Sequence, residues 1–187
     1  MLNYFRQSIA ILLVLVGFST GWASDVLKME DLVKRNGLYF KKFTATPFSG
    51  EISGLHNGKF YNGRRDGLWE TYHENGQLKI KVNYDNGKPN GSYEEYFDNG
   101  NSEWQGSYNN GEWDGPSEWG YENGQLRLEM SHKDGKRHGA YIGYHKNGFL
   151  RITAEYKNGK KHGQWMLYDE DGQLKMTADY KDGVMQW

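Results

Sequence analysis

Five glycines, Gly67, Gly91, Gly115, Gly139 and Gly163, stand 24 residues apart, and the residue types between them recur at fixed offsets with no insertion. A strict period of this length, sustained over residues 67–186, limits the chain to an architecture built from one supersecondary unit stacked on itself. Two residues after the opening glycine come Trp69, Tyr93, Tyr141 and Trp165, and five residues after it Tyr72, Tyr96, Tyr144 and Tyr168. The third block departs from this, with Ser117 and Gly120 in those places and Trp119 and Tyr121 displaced beside them.

Each block holds two further glycines, each preceded by Asn or Asp, as in Asn75-Gly76 and Asn86-Gly87 of the first block. Asn-Gly and Asp-Gly tolerate positive φ and favour tight hairpin turns. Between the two turns the apolar residues alternate: Leu78, Ile80, Val82, Tyr84 in the first block and Leu150, Ile152, Ala154, Tyr156 in the fourth. That is the period of a half-buried strand, which a helix cannot use. Each repeat is therefore one β-hairpin, and the fold class is all-β, an extended antiparallel meander of tandem 24-residue hairpins. Ten or more strands spaced by about 4.8 Å extend on the order of 50 Å along the repeat axis. A unit this small buries little apolar area alone, so its stability comes from its neighbours.

The remaining chain divides in two. In residues 1–23, Arg6 precedes an apolar run at 9–16, then small and polar residues and Gly21, Trp22 and Ala23. This is the order of a secretory signal peptide, with cleavage expected after Ala23 and an uncleaved N-terminal anchor as the alternative. The run is short for a spanning helix. Export to the periplasm or the medium is the expected localisation. There is no cysteine, so an exported form has no disulfide to staple it and no thiol for a lipid.

Residues 24–66 read as an N-terminal cap. Ser24 or Asp25 can cap a short helix whose apolar residues fall at helical spacing up to Asn36-Gly37. A strand follows over residues 38–43, then a turn at 46–50 and a shortened first repeat over residues 50–66. This segment is placed to cover the open edge of the sheet.

The run Gly67, Trp69, Tyr72, Asn75, Gly76, Gln77, Leu78, then Tyr84, Asn86, Gly87, Lys88, repeated in tandem, resembles the MORN repeat family in its bacterial variant. Residues 32–40 with Pro47, Phe48, Ser49 and Gly50 are similar to the lead-in of bacterial members, so the resemblance covers about residues 31–186. It implies an extended hairpin sheet used for binding or scaffolding. Eukaryotic members are associated with membranes and lipid headgroups; many bacterial members are catalogued as antitoxins of toxin–antitoxin pairs, a role that sits awkwardly with an export signal.

Successive turns of a meander lie on opposite edges. One edge carries Glu74, Asp98, Glu122, Lys146 and Glu170 and is mostly acidic; the other carries Arg64, Arg65, Lys88, Lys136, Arg137, Lys160 and Lys161, interrupted by Glu112. The basic rim suits phospholipid headgroups or an acidic partner, or serves only for solubility. The aromatic series Trp69, Tyr72, Tyr93, Tyr96, Tyr141, Tyr144, Trp165 and Tyr168 suits stacking on a partner or a cell-wall sugar, or cross-strand packing within the sheet. Choline- and glucan-binding repeats share the aromatics and the Asn-Gly turn, but are nearer to twenty residues and carry a Gly-Trp pair missing from these junctions.

Catalytic readings fare poorly. Glu94 and Glu95 are adjacent in a strand and point to opposite faces. His138 and His162 occupy one repeat position two strands apart, roughly 9 to 10 Å between backbones, too far for a shared metal. No nucleophile elbow or phosphate loop is present, so no enzyme activity, metal or cofactor is expected. Removing residues 1–23 takes away Arg6 and no acid, leaving 22 basic against 24 acidic residues, net −2; bulk attraction to nucleic acid is not expected. Two functions follow: an exported binding or scaffold protein that engages a protein or envelope partner through exposed aromatics between charged edges, or an antitoxin or immunity-type protein that neutralises a cognate toxin.

Overall fold

The computed structural model describes residues 26–187. A 14-stranded antiparallel sheet runs from Gly50–Ile52 to Val184–Gln186, each strand paired with its neighbours in sequence except that Ser102–Asn109 pairs with both the short Glu112–Trp113 and Gly115–Gly120. The signal-peptide reading falls outside the described residues.

The two Asn/Asp-Gly signals of a repeat make two different turns. At Asn86-Gly87 both residues are left-handed, with φ of 48° and 84°, and join Leu78–Asp85 to Lys88–Tyr96 in a two-residue turn. At Asn75-Gly76 only the glycine has positive φ, 85°, in a longer loop where His73 N–H donates to Gln77 O and Gly76 N–H to His73 O. Asn75 stands there for its side chain. Its Oδ1 accepts the Gln77 N–H at 3.0 Å while its Nδ2 donates to Asp98 O, in the next repeat, at 2.7 Å. Asn99, Asn123 and Asn147 donate in the same way to Glu122 O, Lys146 O and Glu170 O.

Four of the opening glycines lie inside strands, and Gly115 begins one. Gly67, Gly91, Gly139 and Gly163 sit where the register shifts, as at Val82↔Tyr93 and Tyr84↔Pro89, where two steps on one strand face four on the other. Their φ values lie between 64° and 94°, the left-handed bulge conformation that side chains resist. On the edge beside each bulge, the turn glycine donates its N–H to a carbonyl 22 residues earlier: Gly87 to Arg65, Gly111 to Pro89, Gly135 to Trp113, Gly159 to Arg137 and Gly183 to Lys161, at 2.8 to 3.0 Å. Both edges are thus bonded from repeat to repeat.

The core is one row across one face of the sheet. Trp69 pairs with Val82, Val82 with Tyr93 and Tyr93 with Gly106; further on, Ser117 pairs with Met130, Met130 with Tyr141, Tyr141 with Ala154, and Trp165 with Ala178. In four of the five hairpins a large ring on one strand meets a small or aliphatic residue on the other. The departure of the third block has a packing cause. Trp113 and Trp104 lie 4.1 Å apart, Trp104 and Trp119 stack at 5.0 Å, and a Cβ on Gly106 would lie 3.2 Å from Trp113 and 3.0 Å from Ser117. Small residues at 106 and 117 make room for the tryptophans. Gly120 is small because a Cβ there would lie 2.1 Å from Ser102 O.

At the N-terminal end the expected helix is corrected. From Val26 onward only Met29–Asp31 makes a 3₁₀ turn, and Leu32–Arg35 is a strand paired with Leu38–Lys41. Asn36-Gly37, read as a helix stop, is the two-residue turn of this hairpin, with φ of 50° and 81°. The apolar residues at helical spacing, Leu27, Met29 and Leu32, are drawn instead onto the fully buried Phe60, beside Tyr39, Phe48, Ile52 and Trp69. This tertiary burial outweighs a helix preference worth only tenths of a kcal/mol per residue.

Gly139→Ala, in a position with φ 87° and nothing within 4 Å of the added Cβ, is expected to cost about 1–2 kcal/mol through backbone strain alone. Gly58→Ala places a Cβ 2.4 Å from the Trp69 ring and is expected to cost more. Urea unfolding midpoints of the two variants check the order.

Candidate functional site

Strand alternation separates the two aromatic series of the repeat. Trp69 and Tyr72 are three residues apart in one strand, Arg64–Tyr72, and point to opposite faces. The face of Trp69 is the core row: Trp69 and Trp165 are 3% and 9% exposed, and Tyr93 and Tyr141 are half-buried in the same row. Trp69 Nε1–H donates to Lys59 O at 3.1 Å. The tryptophans expected to be exposed are therefore buried, consumed by packing with Phe60, Tyr84, Tyr156 and Tyr180 at centroid separations of 4.8 to 6.2 Å.

The opposite face carries the second series, each hydroxyl tied to a neighbour: Tyr72 donates to Glu70 at 2.8 Å, Tyr96 to Glu94 at 2.7 Å, Tyr144 to Glu129 at 2.7 Å and Tyr168 to the Met166 Sδ at 3.4 Å. The carboxylate partners raise the pKa of Tyr72, Tyr96 and Tyr144. Burial also raises Tyr93 and Tyr108 on the core face, Tyr108 to about 12.

The basic pairs likewise split. Arg65, Arg137 and Lys161 lie over rings of the core face: Arg65 at 4.6 Å from Trp69 and 5.3 Å from Tyr84, Arg137 at 5.9 Å from Tyr141 and 5.4 Å from Tyr156, Lys161 at 4.2 Å from Trp165 and 4.8 Å from Tyr180. They are lids over the aromatic face. Arg64, Lys136 and Lys160, one residue earlier, are exposed.

Sequence reasoning overlooked the partners of these exposed cations across the turn. Lys133 faces Lys136 and Lys157 faces Lys160, directly opposed at the last Cα pair before each two-residue turn. At the same place in the first repeat the pair is Asp85 and Lys88. Like charges placed directly opposite destabilise a sheet, and no ion pair relieves either lysine couple among the described residues. The signal was legible: Lys stands three residues before each of Lys136 and Lys160, flanking Asp134-Gly135 and Asn158-Gly159. His138 and His162 do not meet; they contact Asn158 and Asp182 on the following turns.

Trp69→Ala is expected to lower stability by about 3–5 kcal/mol, Lys160→Ala by less than about 0.5 kcal/mol, with Tyr72→Ala between them; thermal melts of the three variants rank them. His132 is held neutral, its pKa lowered by burial and then by Arg137. Below its ordinary value of about 6.5 the unfolded chain binds a proton that the folded chain refuses, so the stability present above that pH is lost as pH falls. Urea midpoints are expected to drop between about pH 7 and pH 5, and His132→Gln to flatten that slope.

No curated protein matches the sequence. The sequence profile of the MORN repeat variant matches four times, at residues 65–86, 113–134, 137–158 and 161–182. These matches take in the hairpins of the first, third, fourth and fifth blocks with Gly67, Gly115, Gly139 and Gly163, and leave residues 87–112 unmatched; the chain belongs to the MORN repeat variant family.

Proposed function

We propose that this is an exported, non-enzymatic scaffold that docks an acidic protein surface along the basic turn edge of its last repeats, with Lys133, Lys136, Lys157 and Lys160 as the principal contacts. Repeats of this family are commonly protein- or membrane-binding modules and generally non-enzymatic. The observation that carries the reading is the opposition of Lys133 to Lys136 and Lys157 to Lys160. Folding alone gains nothing from such pairs, whereas a partner's carboxylates between them would relieve the repulsion. The aromatic rings of the core face, being buried or lidded, leave the charged edges as the surface for recognition. Export rests on the order of basic, apolar and small residues in 1–23.

The test is affinity capture from the envelope fraction of the exporting cell, with the wild-type protein and a Lys136→Glu/Lys160→Glu variant as baits, read by mass spectrometry. A protein with an acidic surface is expected to be retained by the wild type, released as salt approaches about 1 M, and missing with the variant. Identical capture by both baits refutes the docking edge. Retention of a polypeptide toxin as a one-to-one complex would move the reading to an immunity-type role at the same edge.

A further inference from the structure

A second site lies at the other end of the basic edge, where the N-terminal hairpin comes against the first repeat. Between them is a cleft of about 430 Å³. Lys34, Arg64 and Arg65 line it together with Tyr39, Tyr84 and Pro89, and no carboxylate is among its lining residues. The three cations come from two separate elements, Leu32–Arg35 and Arg64–Tyr72, and none makes an ion pair among the described residues.

Arg65 is the most constrained of the three. One end of its fork donates from Nη1 to the Tyr84 hydroxyl at 3.0 Å, while its Nε is buried with no hydrogen-bond partner. A buried guanidinium N–H without an acceptor carries a full desolvation penalty. Arg137 occupies the same repeat position and lies over the same kind of rings, yet it is exposed and its Nε is not orphaned in this way. Beside Arg65 stands the hairpin Leu32–Lys41, whose Lys34 and Tyr39 line the cleft with it and whose Tyr39 N–H donates to Gly63 O at 2.8 Å.

We infer that this cleft binds a phosphorylated small molecule. A phosphate monoester brings close to two negative charges and three acceptor oxygens, enough to engage an ammonium and two guanidinium groups at once, and guanidinium forks match it. The volume lies in the range of small-molecule sites, roughly 300–1,000 Å³, and far exceeds a bare ion. The ligand therefore has an organic body, which lies against Tyr39, Tyr84 and Pro89. The site stands apart from the docking edge of the last repeats, so either can fail while the other holds.

The test is titration of the protein with phenyl phosphate, with benzoate, inorganic phosphate and phosphatidylglycerol vesicles in parallel, followed by calorimetry. Phenyl phosphate is expected to saturate and to bind more tightly than either control. Because Arg65 also packs on Trp69, the variants are Lys34→Gln and Arg64→Gln, whose thermal melts should match the wild type; each is expected to lose affinity by about tenfold, the loss of one charge-assisted hydrogen bond. Lys160→Gln, which removes the same charge from the same edge, should bind as the wild type does. The proposal is overturned by any of four results: no saturable binding of phenyl phosphate, equal binding of benzoate, equal loss in Lys160→Gln, or binding only to phosphatidylglycerol vesicles.

Discussion

Over the five repeats the protein has one sheet and no second layer, so its apolar face must be shielded by side chains of the sheet itself. The repeat achieves this by pairing a large ring on one strand with a small or aliphatic partner on the next, as Trp69 with Val82 and Trp165 with Ala178, and by laying a long cation over the rings. An Arg or Lys stem covers apolar surface while its charge remains in water. Where the cation is replaced, the solution changes: Trp113 stands at the position of Arg65 and Arg137, and the surrounding strands shrink to Gly106 and Ser117 to admit it. The cap supplies a true second layer at one place only, over Phe60.

The hairpins and their order were legible because period-two alternation and Asn-Gly turns are local signals, and local signals repeated five times reinforce one another. The two Asn-Gly sites looked alike in sequence; their difference depends on the acceptor of the asparagine side chain, which belongs to the next repeat. The opening glycine was conspicuous, but its reason, a bulge with positive φ, emerges only once both strands are aligned. The helix over residues 24–36 failed for a related cause. Four residues on either side of Asn36-Gly37 fit a hairpin or a helix end equally well, and the choice was made by Phe60, distant in sequence.

For the site, the separation of Trp69 from Tyr72 across the sheet follows from alternation and could be read without coordinates. What could not be read is that adjacent cations such as Lys160 and Lys161 do different work, one standing in solvent beside Lys157 and the other lying on Trp165. Edge charge in such a protein is therefore of two kinds. Substituting the ring-covering residues exposes the core, whereas substituting the turn-flanking ones alters only the field seen by a partner.

The bonds that tie the edges together span fixed separations, 22 residues at Gly87 and its counterparts and 23 at Asn75 and its counterparts. A one-residue insertion within a hairpin would break donors on both edges at once and turn one strand's core residues outward. Adding or deleting a whole 24-residue unit preserves every such donor and acceptor. Lineages of this protein should therefore vary in length in whole multiples of the unit, by duplication or loss of complete hairpins, and tolerate small indels only in the N-terminal segment before Gly50.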